Sequence, residues 1–151
     1  MSTPELLGSL RSRAGEQASA ALVVVFGSTV RGTAHRGSDV DLGVILEPDT
    51  PEARLRLEVD LGRAAGRPVD LIFLAEAPPL LRFEIAREGV VLLERRPFLW
   101  ADFKAKAMRD WWDWAPYARR IQAAAVARLR AEVARAADQN SPTNEISGRR
   151  R

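Results

Sequence analysis

The stretch Val23–Leu46, VVVFGSTVRGTAHRGSDVDLGVIL, decides how the rest of the chain is read. It opens as an apolar, β-branched run, the pattern of a buried strand from Ala21 to Phe26. It breaks at Gly27-Ser28, passes through a short polar segment, and resumes as a second strand, Val40–Leu46, that stops at Glu47-Pro48. Ser28 is expected to cap a short helix that begins near Thr29 and ends by Gly32. Ten residues separate Gly27-Ser28 from Asp39-Val40-Asp41. In an extended strand, residues two apart project to the same side, so Asp39 and Asp41 point together while Val40 and Leu42 turn to the core. Two carboxylates this close repel, and a divalent cation between them resolves the conflict.

Working outward, Pro4 to about Ser19 reads as a first helix, with Leu6, Leu7, Leu10 and Ala14 at helical spacing. Pro51–Ala65 reads as a helix with Leu55, Val59 and Leu61-Gly62 facing inward and Gly66 ending it. Pro68–Leu74 is a third strand, and Asp70 interrupts its apolar run. If this strand lies beside the Asp39–Asp41 strand, the third carboxylate completes a three-acid cluster able to hold two metal ions for in-line phosphoryl displacement. Pro78–Arg87 is a helix closed by Gly89, and Val90–Leu93 a fourth, edge strand. The order is that of an α/β domain with a mixed sheet of about four strands flanked by helices and a C-terminal helical extension. The expected division is a core over 1–96, C-terminal helices over 97–138 and a disordered tail over 139–151.

Beyond Pro97 the pattern turns helical. Trp100, Phe103, Ala107, Trp111 and Trp114 recur at steps of three and four. Pro116 is expected to break or kink this helix, with a separate Ala/Arg-rich helix from about Ile121 to Ala137. The aromatic stripe reads equally as core covering the sheet or as a partner surface, since Trp112 lies off it.

Composition narrows the chemistry. The 151 residues suffice for one domain with a core, and 46% hydrophobic with 28% charged is ordinary for a globular protein. With no cysteine and one histidine, thiolate and multi-histidine metal sites are excluded. Any metal must be held by carboxylates, which favours Mg2+, with Mn2+ as the other choice. The lack of cysteine, of a signal-peptide pattern and of a transmembrane-length apolar run points to a cytoplasmic protein with no membrane partner. The net charge of +3 is carried mostly by arginine, much of it beyond Arg119; a solvated helix face explains it, and nucleic-acid binding is the weaker reading.

Gly27 lets backbone approach a phosphate, the Ser28 hydroxyl can donate to it, and Arg31 lies one turn on to neutralise charge. Asp39 and Asp41 serve as metal ligands, with Asp70 a further ligand or the base that activates an attacking hydroxyl. His35 and Arg36 read as solvated loop residues. The conjunction of strand, Gly-Ser, helix, two same-face acids and a third acid on another strand carries far more information than any one of these features. It suggests nucleotidyl transfer from a nucleoside triphosphate, dependent on magnesium or manganese.

At these residues the chain resembles the DNA polymerase β-like nucleotidyltransferase superfamily, whose signature is Gly-Ser, about ten residues, then Asp-x-Asp. The Arg31-Gly32 and Ser38-Asp39-x-Asp41-Leu42 details look most like its minimal nucleotidyltransferase branch, the MntA-type antitoxins. The resemblance puts the triphosphate-binding role on Gly27 and Ser28, the metal ligands on Asp39 and Asp41 and the third carboxylate on Asp70. It implies ATP and Mg2+ as substrate and cofactor, a HEPN-type RNase toxin as partner in a hetero-oligomer, and transfer of AMP to a toxin tyrosine. Two other functions stay in view: a non-catalytic antitoxin acting by sequestration through the tryptophan-rich helices, and a small-molecule nucleotidyltransferase of the aminoglycoside type.

Overall fold

The computed structural model describes residues 1–139. Its elements run α1 (Thr3–Glu16), β1 (Ala20–Phe26), α2 (Ser28–Arg31), β2 (Val40–Leu46), α3 (Pro51–Ala65), β3 (Val69–Phe73), α4 (Pro79–Glu88), β4 (Val90–Glu94) and α5 (Leu99–Gln139). The four strands form one sheet in the order β3-β2-β1-β4. β1 is antiparallel to both β2 and β4, whereas β2 and β3 are parallel. A parallel pair needs a crossover connection, and α3 supplies it. The mixed sheet flanked by helices is the fold class expected from the sequence.

The strand periods explain the two cores. Val23 and Val25 of β1 and Val40, Leu42, Val44 and Leu46 of β2 meet Leu6, Leu10 and Ala14 of α1 and Leu57, Leu61 and Ala65 of α3. Leu22, Val24 and Phe26 turn the other way, onto Ile85 and Ala86 of α4 and Leu99, Phe103 and Ala107 of α5. β1 is therefore buried on both faces, which is why its sequence is continuously apolar rather than alternating. α1 is fixed at its start by a capping box: Ser2 Oγ accepts from the Glu5 N–H at 3.4 Å, and Glu5 Oε2 accepts from the Ser2 N–H at 2.6 Å.

Three local expectations are corrected. α3 turns Leu57, Leu61 and Ala65 inward, while Leu55 and Val59 are 63% and 41% exposed. Both sets have four-residue spacing, but Leu55 and Val59 lie roughly 160° around the helix from Leu57, so only one set can face the sheet. Ser28 is the first residue of α2 rather than its cap; Gly27 holds that position, without a side chain to cap with. Pro116 does not end a helix, because α5 runs from Leu99 to Gln139 with the proline inside it. The helix formers that follow it from Ala118 on weigh against the roughly 3 kcal/mol that an interior proline costs.

The chain divides into two compact units, Met1–Trp112 and Asp113–Arg151. In the first, α5 contributes Leu99, Phe103 and Ala107 to the core, and Trp111 stacks on Phe83 with ring centroids 5.2 Å apart. Trp112 is 75% exposed, so in this unit the aromatic run is partly core and partly surface. In the second unit the described helix is exposed from Arg119 onward, including Ile121, Val126, Leu129 and Val133. The tail expected from 139 falls, from 140 on, outside the described residues. Among the described residues, no helix is long and apolar enough to cross a membrane.

Candidate active site

β1 ends at Phe26, and the chain turns through Gly27 at φ 72°, ψ −148°. This left-handed φ suits glycine, and the space demands it too: a Cβ here would collide with Asp41 Oδ2 and lie 3.2 Å from Asp41 Cγ. α2 follows, with the Val30 and Arg31 N–H groups donating to the Gly27 carbonyl at 3.2 and 3.1 Å. Gly32, at φ 73°, closes it.

The loop that returns to β2 is tied by its own side chains. The His35 N–H donates to Ser38 Oγ at 3.0 Å, the Ser38 N–H donates to the His35 carbonyl at 2.9 Å, and the Gly37 N–H donates to His35 Nδ1 at 3.3 Å. His35 and Ser38 thus shape the approach to Asp39. His35 has a loop-building role, in line with its reading as a solvated loop residue.

β2 places Asp41 opposite Phe26 on β1 and, across the parallel ladder, directly beside Asp70 on β3. Neighbouring strands lie about 4.8 Å apart, and side chains in register project to the same face. Asp41 and Asp70 therefore share the face that carries Phe26, Ile45 and Ile72, at the end of β2 where Gly27 passes. Asp39, just before β2 and exposed, has the same parity as Asp41. The register brings Asp41 and Asp70 together, and Asp39, two residues before Asp41, is near enough for its charge to act on Asp41. Among the described residues, however, no group of three or more His, Asp or Glu side chains is arranged to hold a metal ion as it stands. Burial, followed by the charges of Asp70 and Asp39, pushes the Asp41 carboxyl above the ordinary aspartate range, while Arg31 pulls it down. An oxygen-only set of clustered acids with one proton affinity already raised fits a hard divalent cation.

One side chain at this corner was missed by the sequence reading. Glu88, the last residue of α4, accepts from the Gly27 N–H at 3.1 Å and from Arg31 Nη1 at 2.9 and 3.1 Å. The only local signal was its position, since an acid at a helix C-terminus opposes the helix dipole. The neighbouring Gly89 keeps α4 tight on β1, because a Cβ there would meet Val24 Cγ1 at 2.6 Å and the Ile85 carbonyl at 2.6 Å.

The Gly27-Ser28 turn thus lies against Asp41, which pairs in register with Asp70. Residues 10–98 match the family described as Polymerase beta, Nucleotidyltransferase. The chain belongs to this family. It is 39% identical over 70 residues to protein adenylyltransferase MntA of Shewanella oneidensis, a match covering 45% of this chain and 50% of that protein. The chain thus spans about half the length of that curated relative. Among solved structures, it is similar in fold to a crystal structure of a toxin–antitoxin with AMP-PNP, with TM-score 0.68 and 24% identity over 80% of this chain and 98% of that one. A complex of tri-AMPylated Shewanella oneidensis HEPN toxin with MNT antitoxin gives TM-score 0.65 and 19% identity over 83% of this chain and 99% of the matched one. In this nucleotidyltransferase, the family match encloses Gly27, Ser28, Arg31, Asp39, Asp41, Asp70 and Glu88.

Proposed function

We propose that this nucleotidyltransferase is a cytoplasmic antitoxin that transfers AMP from ATP to a tyrosine of a cognate HEPN-family RNase toxin and thereby silences it. The observation that carries the reading is the register of Asp41 against Asp70 beside Gly27, together with membership of the nucleotidyltransferase family. The similarity to MntA, and to complexes containing AMP-PNP and an AMPylated toxin, supports the choice of nucleotide and acceptor.

In this reading, Gly27 and Ser28 seat the triphosphate, and Arg31 neutralises phosphate charge. Asp39, Asp41 and Asp70 hold Mg2+, two ions in the fullest form, with Mn2+ able to substitute. When bound, Mg2+ supplies charge neutralisation at the α-phosphate and at the departing pyrophosphate. The tyrosine oxygen forms a bond to the α-phosphorus, the bond from that phosphorus to the β-phosphate bridging oxygen breaks, and pyrophosphate leaves. In the same reading Asp70 takes the tyrosine proton or orients the hydroxyl that loses it.

The test uses ATP labelled at either the α- or the γ-phosphate, with Mg2+ and the purified toxin. Label should move to the toxin only from the α-position, and Asp39→Ala or Asp41→Ala should abolish the movement. Transfer that survives the double substitution removes the site assignment. A second reading, neutralisation by contact alone, is favoured by the exposure of Trp112 and, separately, of Tyr117 and Ile121. It requires that the acid variants still protect cells and that substitutions at these aromatic and apolar residues do not.

A further inference from the structure

Glu88 occupies an unusual place for an acid. It ends α4, where the helix presents its partial negative charge and a carboxylate is locally unfavourable. Its side chain is only 17% exposed, against 56% for Arg31. What holds it there comes from far along the chain: the Gly27 N–H at 3.1 Å and the Arg31 guanidinium at 2.9 and 3.1 Å. A backbone N–H at a glycine turn and a guanidinium N–H recognise a carboxylate and a phosphate in the same way, through anionic oxygens at hydrogen-bond distance.

We propose that Glu88 is an internal competitor for the nucleotide. Its carboxylate holds the Gly27 N–H and Arg31 in the nucleotide-free protein and must surrender both to the triphosphate. The proposal rests on the reading of Gly27, Ser28 and Arg31 as the nucleotide seat. Two consequences follow from the geometry. Apparent ATP affinity is set partly by the cost of displacing Glu88, so ATP binds more weakly than the seat alone would allow. Arg31 is kept oriented between turnovers instead of swinging free, because one anionic partner is exchanged for another. Glu88 is a positioning residue in this scheme: it acts through Gly27 and Arg31 rather than on the reacting atoms.

The experiment is calorimetric titration of the full chain with ATP and Mg2+, comparing wild type with Glu88→Gln, Glu88→Asp and Arg31→Ala. Loss of a partly exposed ion-pair competitor should tighten ATP binding about 3- to 10-fold in Glu88→Gln. Glu88→Asp, whose shorter side chain cannot reach both donors, should shift affinity in the same direction by less, and it serves as the second measure if Glu88→Gln folds poorly. Introducing Glu88→Gln into Arg31→Ala should give a smaller gain than in wild type. A merely structural role for Glu88 would weaken binding, so tighter binding is the discriminating result. If Arg31→Ala weakens ATP binding but neither Glu88 variant tightens it, the competitor proposal falls and the nucleotide seat stands. If ATP binds and neither Arg31→Ala nor Glu88→Gln alters its affinity, the seat itself is wrong. If no variant and not the wild type binds ATP, both fall.

Discussion

A methyl group at Gly27 would be driven into Asp41 while the backbone is held at φ 72°. With ψ at −148° this backbone lies in a region essentially confined to glycine and costs another residue about 1–3 kcal/mol, but the larger effect is on geometry. Gly27→Ala is expected to lose ATP binding and transfer together, measured by calorimetry and labelled-AMP incorporation, with only a modest fall in melting temperature. Asp41 behaves in the opposite sense. Its carboxyl titrates above the ordinary range, chiefly through burial and then through Asp70 and Asp39. A carboxyl whose folded-state pKa exceeds its unfolded value contributes stability that is present below the unfolded value and lost as pH rises through the folded one. At neutral pH the ionised Asp41 therefore destabilises the nucleotide-free fold. Asp41→Asn should melt higher than wild type by about 1–2 °C at neutral pH, on the order of 0.5 kcal/mol after solvent screening, while being inactive. The gap should shrink as pH falls through the carboxylate range, and melting curves across pH check it.

At the scale of elements, α3 offers a paired test. Leu57 is fully buried and Leu55 is 63% exposed, so Leu57→Ala should cost about 2–5 kcal/mol and Leu55→Ala within about 0.5 kcal/mol, read by urea unfolding. The same helix shows where sequence reading stops. Leu55-Val59 and Leu57-Leu61-Ala65 have equal spacing, and the choice between them is made by the sheet, not by the helix. β1 and β2 were legible because strand period and β-branched content agree, and the Asp39–Asp41 parity follows from that period alone. The place of Asp70 was legible only conditionally: its meaning depended on β3 lying beside β2, which the parallel register supplies. Glu88 was invisible because its partners Gly27 and Arg31 lie 61 and 57 positions away, a proximity that exists only once α4 packs against β1. Pro116 misled because a proline inside a helix is a local penalty, and the helix-forming run after it, from Ala118 on, weighs against that penalty.

At the scale of the whole molecule, every residue assigned to nucleotide or metal lies within Met1–Trp112. A chain ended after Trp112 should still bind ATP with wild-type affinity by calorimetry, since no assigned group is removed. Loss of ATP binding on this truncation would mean that the second unit contributes to the site. Transfer of AMP to a toxin tyrosine can be read by intact-mass and peptide mass spectrometry of the HEPN partner. The partner is incubated with this chain, ATP and Mg2+. Its mass should rise by one or more AMP groups located on tyrosine, and the rise should be absent with Asp39→Ala or Asp41→Ala. An unmodified partner whose RNase activity is nonetheless silenced, or modification that persists in the acid variants, would contradict it.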